Sequence, residues 1–101
     1  MASEEIWANI KDYFLKMGDV QKQGESLKIK KKMFVMYQKG NYVVKLPKER
    51  VLDLISSGEG VPYDAGTGRI MKEWVIISKD HSDKWIDYAK EAKKFAKTLA
   101  K

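Results

Sequence analysis

The chain has 101 residues, 44% of them hydrophobic, with three Trp, five Tyr and three Phe. That is enough apolar material for one core, and a domain of this size buries roughly two thirds of the surface its unfolded chain exposes. There is no cysteine and only one histidine, which excludes disulfides, thiolate metal sites and any two-histidine metal site.

The formal net charge is +6, unevenly placed. Residues 22–50 carry nine Lys and Arg against Glu25 and Glu49, a local +7 that leaves −1 for the rest. No apolar run approaches the roughly 20 residues that cross a bilayer. The start Met-Ala-Ser-Glu-Glu lacks the charged-then-apolar order of a signal peptide, so a cytoplasmic chain without membrane contact is expected.

In chain order, residues 3–17 read as an amphipathic helix. Ser3 is placed to cap it, and Glu4 and Glu5 favour its positive end. Ile6, Ile10, Tyr13, Phe14 and Met17 form the apolar stripe, with Trp7 at its margin. Val20 to Glu25 reads as a polar connector. Leu27 and Ile29 then alternate with Lys28, Lys30 and Lys32, the pattern of a strand with one dry and one wet face. The lysine run bends somewhere between Lys30 and Lys32, Met33–Gln38 continues as strand, Lys39-Gly40-Asn41 is a hairpin turn, and Tyr42–Leu46 returns antiparallel. Pro47 opens a short helix with the stripe Val51, Leu54, Ile55, and Gly58 ends it. Gly60 to Asp64, containing Pro62, is an edge segment.

The Gly66–Gly68 turn leads into the most informative stretch, residues 70–77. Ile70, Trp74 and Ile76 point one way at period two, and Met71, Val75 and Ile77 the other. A strand apolar on both sides belongs inside a sheet. From about Ser82 the last helix carries Trp85, Ala89, Ala92, Ala96 and Leu99 along one face; alanines at its centre permit close approach to a sheet. Acidic residues crowd its start and lysines its end, matching the helix dipole. The expected fold is a two-layer α+β domain over residues 1–101, with an antiparallel sheet of about four to five strands backed by helices, in the order α-β(2–3)-α-β(2)-α.

Several of these residues also carry a family likeness. Lys32-Met33-Phe34, the hairpin ending Val44-Lys45-Leu46-Pro47, Gly58-x-Gly60 with Pro62-Tyr63, and above all Gly68-Arg69-Ile70-Met71-Lys72-Glu73-Trp74-Val75 resemble the N-terminal domain of the TfoX/Sxy family. Val35 stands where the family usually has glycine, and Ile70 where it often has proline. The resemblance implies a secretion-chaperone-like α+β fold with helices on one face of the sheet. It also implies a regulatory module, since the best-known members act in bacterial natural competence. Those members carry a second, helical C-terminal domain, which is not expected in this stretch.

Candidate chemistry is sparse. Neither Gly58–Gly60 nor Gly66–Gly68 has Walker spacing, so both read as turns. His81 reads as a surface residue near a helix start, no catalytic triad can be grouped, and no cofactor or metal pattern is recognisable. Arg69, Lys72 and Trp74 have two readings. In one, the cations pair with carboxylates such as Glu73 or Asp64 at the sheet rim; in the other, they form an anion-binding pair beside the Trp74 ring. Lys28, Lys30 and Lys32, at about 7 Å intervals along one strand face, either protect an edge strand from aggregation or track nucleic-acid phosphates. The functional expectation is a non-enzymatic binding or regulatory module. A partner protein or a second copy would dock on its helix-free sheet face or edge, where Met36, Tyr37, Tyr42 and Val43 supply apolar surface; weak, sequence-independent nucleic-acid binding through residues 22–50 is the alternative.

Overall fold

A computed structural model describes residues 3–38, 40–64 and 70–99. In chain order the elements are α1 (Ser3–Leu15), β1 (Val20–Gln23), β2 (Ser26–Ile29), β3 (Lys32–Gln38), β4 (Asn41–Lys45), α2 (Lys48–Ser57), β5 (Gly60–Asp64), β6 (Ile70–Ile77), a 3₁₀ segment (Lys79–Lys84) and α3 (Trp85–Leu99). The strands form one sheet in the order β1-β2-β3-β4-β6-β5, with every pairing antiparallel. This is the two-layer α+β architecture, with six strands rather than four to five.

The added strand is β1, within the stretch read as a connector. Only Val20 of its four residues is buried, so no alternation betrays it; backbone pairing with β2 (Val20↔Ile29 to Gln23↔Ser26) makes it a strand. The segment 70–77 is interior, as its two apolar sides require: β4 pairs with one edge of β6 and β5 with the other.

Alternation sorts the sheet's side chains into two clusters. Facing the helices are Leu27, Ile29, Val35, Tyr37, Tyr42, Val44, Val75 and Ile77, which pack against residues of all three helices. On the other face lies a smaller cluster of Met36, Val43 and Trp74, joined by the half-buried Met33, Tyr63 and Ile76, with no helix residue among its described members. Tyr37 and Tyr42, expected on this helix-free face, belong instead to the helix side. Phe34 also reaches the helix side because it is the extra residue of a bulge: Leu27 pairs with Val35 and Lys28 with Met33, so Phe34 and Val35 both turn inward.

α1 is rotated relative to the expected stripe. Trp7, Ile10 and Phe14 are buried, whereas Tyr13 is 38% and Met17 44% exposed. Trp7 is central because its ring stacks on Tyr37 at 5.9 Å and its indole Nε1–H donates to Glu25 Oε2 at 2.6 Å. In α3 the alanine stripe behaves as read: Ala89, Ala92 and Ala96 are fully buried, while Leu99 at the end is exposed. The Trp85 ring stacks on Tyr42 at 4.3 Å and 9°, and the Tyr42 hydroxyl donates to the Trp85 carbonyl at 2.7 Å. This pair fixes α3 on β4, and burial pushes the Tyr42 phenol well up from its ordinary value.

Pro47 stands just before α2, and Gly58 closes the helix in the left-handed conformation (φ 84°) with its N–H bonded to the Ile55 carbonyl. α2 then packs on β5 and β6. Gly60 makes that contact possible: a Cβ there would lie 2.6 Å from Val75 Cγ2 and 3.2 Å from Leu54 Cβ.

Candidate functional site

The irregular stretch of β6 creates the site. Pro62 pairs with Val75, yet the next residue, Tyr63, pairs with Met71, so residues 72–74 bulge out of the ladder with β5. β4 keeps contact through Lys45↔Trp74 and through the Leu46 N–H, which donates to the Glu73 carbonyl at 3.0 Å. Trp74 is thereby held firmly on one side and freed on the other. Its ring packs with Met36 and Val43, and Lys45 Nζ lies 5.1 Å from its centroid while pairing with Glu73 at 3.6 Å. An ammonium over an indole face is attracted by the ring quadrupole, by roughly 0.5–2 kcal/mol between exposed and desolvated sites.

Beyond the bulge, between β6 and α2, lies a cavity of about 350 Å³ lined by Lys48, Val51, Leu52, Ile55, Pro62, Lys72 and Trp74. Its walls are almost wholly apolar. Lys48 and Lys72 contribute to these apolar walls through their alkyl stems, and neither pairs with a carboxylate among the described residues. Leu52 stands at the rim, 56% exposed. The combination receives an apolar group and attracts an anion beside it. It offers no carboxylate, imidazole or hydroxyl among its described lining residues, and so no pair for acid–base work.

Of the candidates read from sequence, Lys72 and Trp74 come together at this cavity. Glu73, one of the suggested carboxylates, pairs with Lys45 and not with Lys72. Arg69 and the Gly66–Gly68 turn lie outside the described residues. Lys48, Leu52, Ile55 and Pro62 were not singled out as a site. Their signal was a surplus: α2 carries four large apolar residues in ten, more than the two it buries.

The lysine ladder is corrected. Lys28, Lys30 and Lys32 do not share a strand face, because β2 ends at Ile29 and the chain reverses through Lys30 (φ 49°) and Lys31 (φ 69°). Lys28 lies opposite Met33, and Lys32 opposite Ile29. Neighbouring cross-strand pairs face opposite ways, so Lys28 is on the helix-free face and Lys32 on the helix side. Each non-glycine residue in the left-handed region costs about 1–2 kcal/mol.

A second hollow, about 500 Å³, lies between α1 and the 3₁₀–α3 junction, lined by Ile6, Asn9, Ile10, Ser82, Asp83 and Ile86. It is the larger and the more open of the two, and Asp83 is the one charged residue among its described lining. His81 sits half-buried within the 3₁₀ segment, its N–H donating to the Ser78 carbonyl at 3.0 Å. Among the described residues no group of three or more His, Cys, Asp or Glu gathers as metal ligands, and no helix is long and apolar enough to cross a membrane. Compared with known proteins, the chain matches no family model, no curated protein and no solved structure.

Proposed function

We propose that this domain is a cytoplasmic, non-catalytic interaction module of the TfoX N-terminal type, which binds a segment of a partner protein at the Trp74 cavity. The partner contributes an apolar side chain that enters between α2 and β6, and a neighbouring acidic residue that pairs with Lys48 or Lys72. The observation carrying this reading is the conjunction at one place of an open apolar cavity, an exposed Leu52 at its rim and two lining lysines, Lys48 and Lys72, that have no carboxylate partner among the described residues. Interaction surfaces that anchor a partner combine such an apolar centre with a charged rim. The competence role belongs to the best-known relatives of the resembled family and is not carried over, since a fold hosts many functions.

The test is selection of peptides from a random library on the immobilised domain. Enriched sequences are expected to join a large apolar residue to Asp or Glu, and to lose binding to Leu52→Asp and to Lys72→Glu while the thermal midpoint of both variants stays near wild type. No enrichment, or peptides that bind Leu52→Asp equally well, would overturn the proposal. Self-association through the same cavity is read from light scattering over a concentration series: a mass rising with concentration, and held at the monomer by Leu52→Asp, makes the partner a second copy.

A further inference from the structure

We propose that the end of the sheet carrying the β2–β3 turn binds the phosphate backbone of nucleic acid, through lysines from two distant parts of the chain: Lys30, Lys31 and Lys32 on the hairpin, and Lys97 on α3, which the Lys93–Asp19 ion pair brings to this end. This end belongs to the β1–β3 half of the sheet, and the inference does not depend on what the Trp74 cavity binds.

The turn itself is the first observation. Two-residue hairpin loops with both central residues at positive φ select Asn, Asp or Gly, because a larger side chain crowds the backbone there. At two other turns this chain uses glycine at positive φ, Gly24 (58°) and Gly40 (79°). At Lys30 (49°) and Lys31 (69°) it instead sets two exposed ammonium groups on a strained tip. Local rules are given up mainly where a function asks for it. Lys30, Lys31 and Lys32 pair with no carboxylate among the described residues, so an internal ion pair does not explain them.

The second observation is convergence. Val20 is opposite Ile29, the residue before the turn, which places the preceding Asp19 at the same end. Lys93 Nζ reaches Asp19 Oδ1 at 3.1 Å. The Lys93 hydrogen bond, with the charges of Lys93 and Lys97, holds the Asp19 carboxyl below its ordinary value. The terminal lysines of α3, which the sequence explains by the helix dipole, are therefore delivered beside the hairpin lysines. Among the described residues, the carboxylate that pairs with a lysine of this group is Asp19, through Lys93.

Shape separates nucleic acid from a bilayer. With Lys28 on one face of the hairpin, Lys32 on the other and Lys30–Lys31 at the tip, the cations wrap around an end. That suits phosphates on the two walls of a groove or along a curved strand better than one flat anionic plane. Two of the exposed apolar groups that a bilayer would take are already engaged by ammonium ends: Lys90 Nζ sits 5.2 Å from the Tyr13 centroid, and Lys93 Nζ 3.1 Å from Met17 Sδ.

The experiment measures fluorescence anisotropy of a short labelled DNA duplex against the whole chain, between about 50 and 200 mM salt. Its central variant is Lys30→Asn/Lys31→Gly, which supplies the residues this turn type prefers. The melting temperature is expected to rise by roughly 5 °C or more as strain is relieved. DNA affinity is expected to fall by about ten- to hundredfold at the low-salt end, with the salt slope shallower by about two. Lys97→Gln is expected to weaken binding as well. Lys79→Gln is the control for net charge, since Lys79 sits by Gly40 at the opposite end of β3, and it leaves affinity nearly unchanged. The inference is overturned if Lys30→Asn/Lys31→Gly gains stability with DNA affinity intact, if Lys79→Gln weakens binding as much, or if phosphatidylserine vesicles or polyglutamate bind as tightly as DNA at equal charge.

Discussion

Replacing Gly60 with alanine tests how α2 is seated against the sheet, and hence how the cavity beside it is formed. The added Cβ would lie 2.6 Å from Val75 Cγ2, 3.2 Å from Leu54 Cβ and 3.6 Å from the Ile76 carbonyl oxygen. Carbon atoms in good contact sit about 3.5–4.0 Å apart, so Val75 must retreat by about 1 Å. It has nowhere to go. Val75 is fully buried, its branched Cβ restricts χ1, and Leu54 presses from the α2 side. Overpacking of this kind costs about 1–3 kcal/mol, and up to about 1 kcal/mol is regained because alanine restricts the unfolded chain. A net loss of about 1–2 kcal/mol is expected, or roughly 5–15 °C in melting temperature for a chain of this size. Urea titration at constant m measures it. The companion variant Val75→Ala costs about 2 kcal/mol alone through lost burial and the cavity left behind. In the double variant the new methyl group occupies the vacated space, so the two losses should fall short of additivity by about 1 kcal/mol. A Gly60→Ala loss below about 0.5 kcal/mol, or strict additivity, would refute the packing argument.

Three further outcomes follow from particular contacts. Tyr42→Phe removes the bond to the Trp85 carbonyl but keeps the ring stack, and should cost about 1–2 kcal/mol in thermal denaturation, against about 3–5 kcal/mol for Tyr42→Ala. The Trp7 indole and then the Lys11 ammonium hold the Glu25 carboxyl below the ordinary 4.5. Its contribution is therefore fully present above pH 4.5 and is lost as pH falls through the lowered value, so the stability gap between wild type and Glu25→Gln should close on acidification; a gap independent of pH would contradict this. Burial, and then the hydrogen bond to Glu59, push the Tyr88 phenol up to about 12. The stabilisation this represents is complete below pH 10 and is lost as pH rises toward 12, and ultraviolet titration should show one of the two late tyrosines, Tyr88 and not Tyr42, moving earlier in Glu59→Gln.

The elements with a strong period were legible from sequence. The alanine line of α3 and the two-sided apolar segment 70–77 each have one arrangement that hides their apolar surface: Ala89, Ala92 and Ala96 are buried, and Trp74, Val75 and Ile77 are buried in a strand paired on both edges. What escaped is what depends on partners distant in the chain. β1 has one apolar residue in four and is a strand through its ladder with β2. Trp7 looked marginal on the α1 stripe until Tyr37 and Glu25 were brought to it. A bend between Lys30 and Lys32 was legible but its place was not, because lysine lacks the usual signature of a positive-φ loop; the reversal at Lys30–Lys31 is fixed by the registers on either side. At the candidate site, Lys72 and Trp74 were readable as a cation beside an aromatic. The opposite wall was not, because it comes from α2, packed there by Gly60.

The central functional claim, that the Trp74 cavity is where a partner segment docks, is tested most directly by backbone and indole chemical-shift mapping with a bound peptide that joins an apolar side chain to carboxylates. The account predicts shifts concentrated on Leu52, Ile55, Lys72 and the Trp74 indole N–H, with the Trp7 and Trp85 indoles unmoved. Shifts centred on Ile6, Asn9 and Ile86, or scattered over the lysines without reaching Trp74, would contradict it.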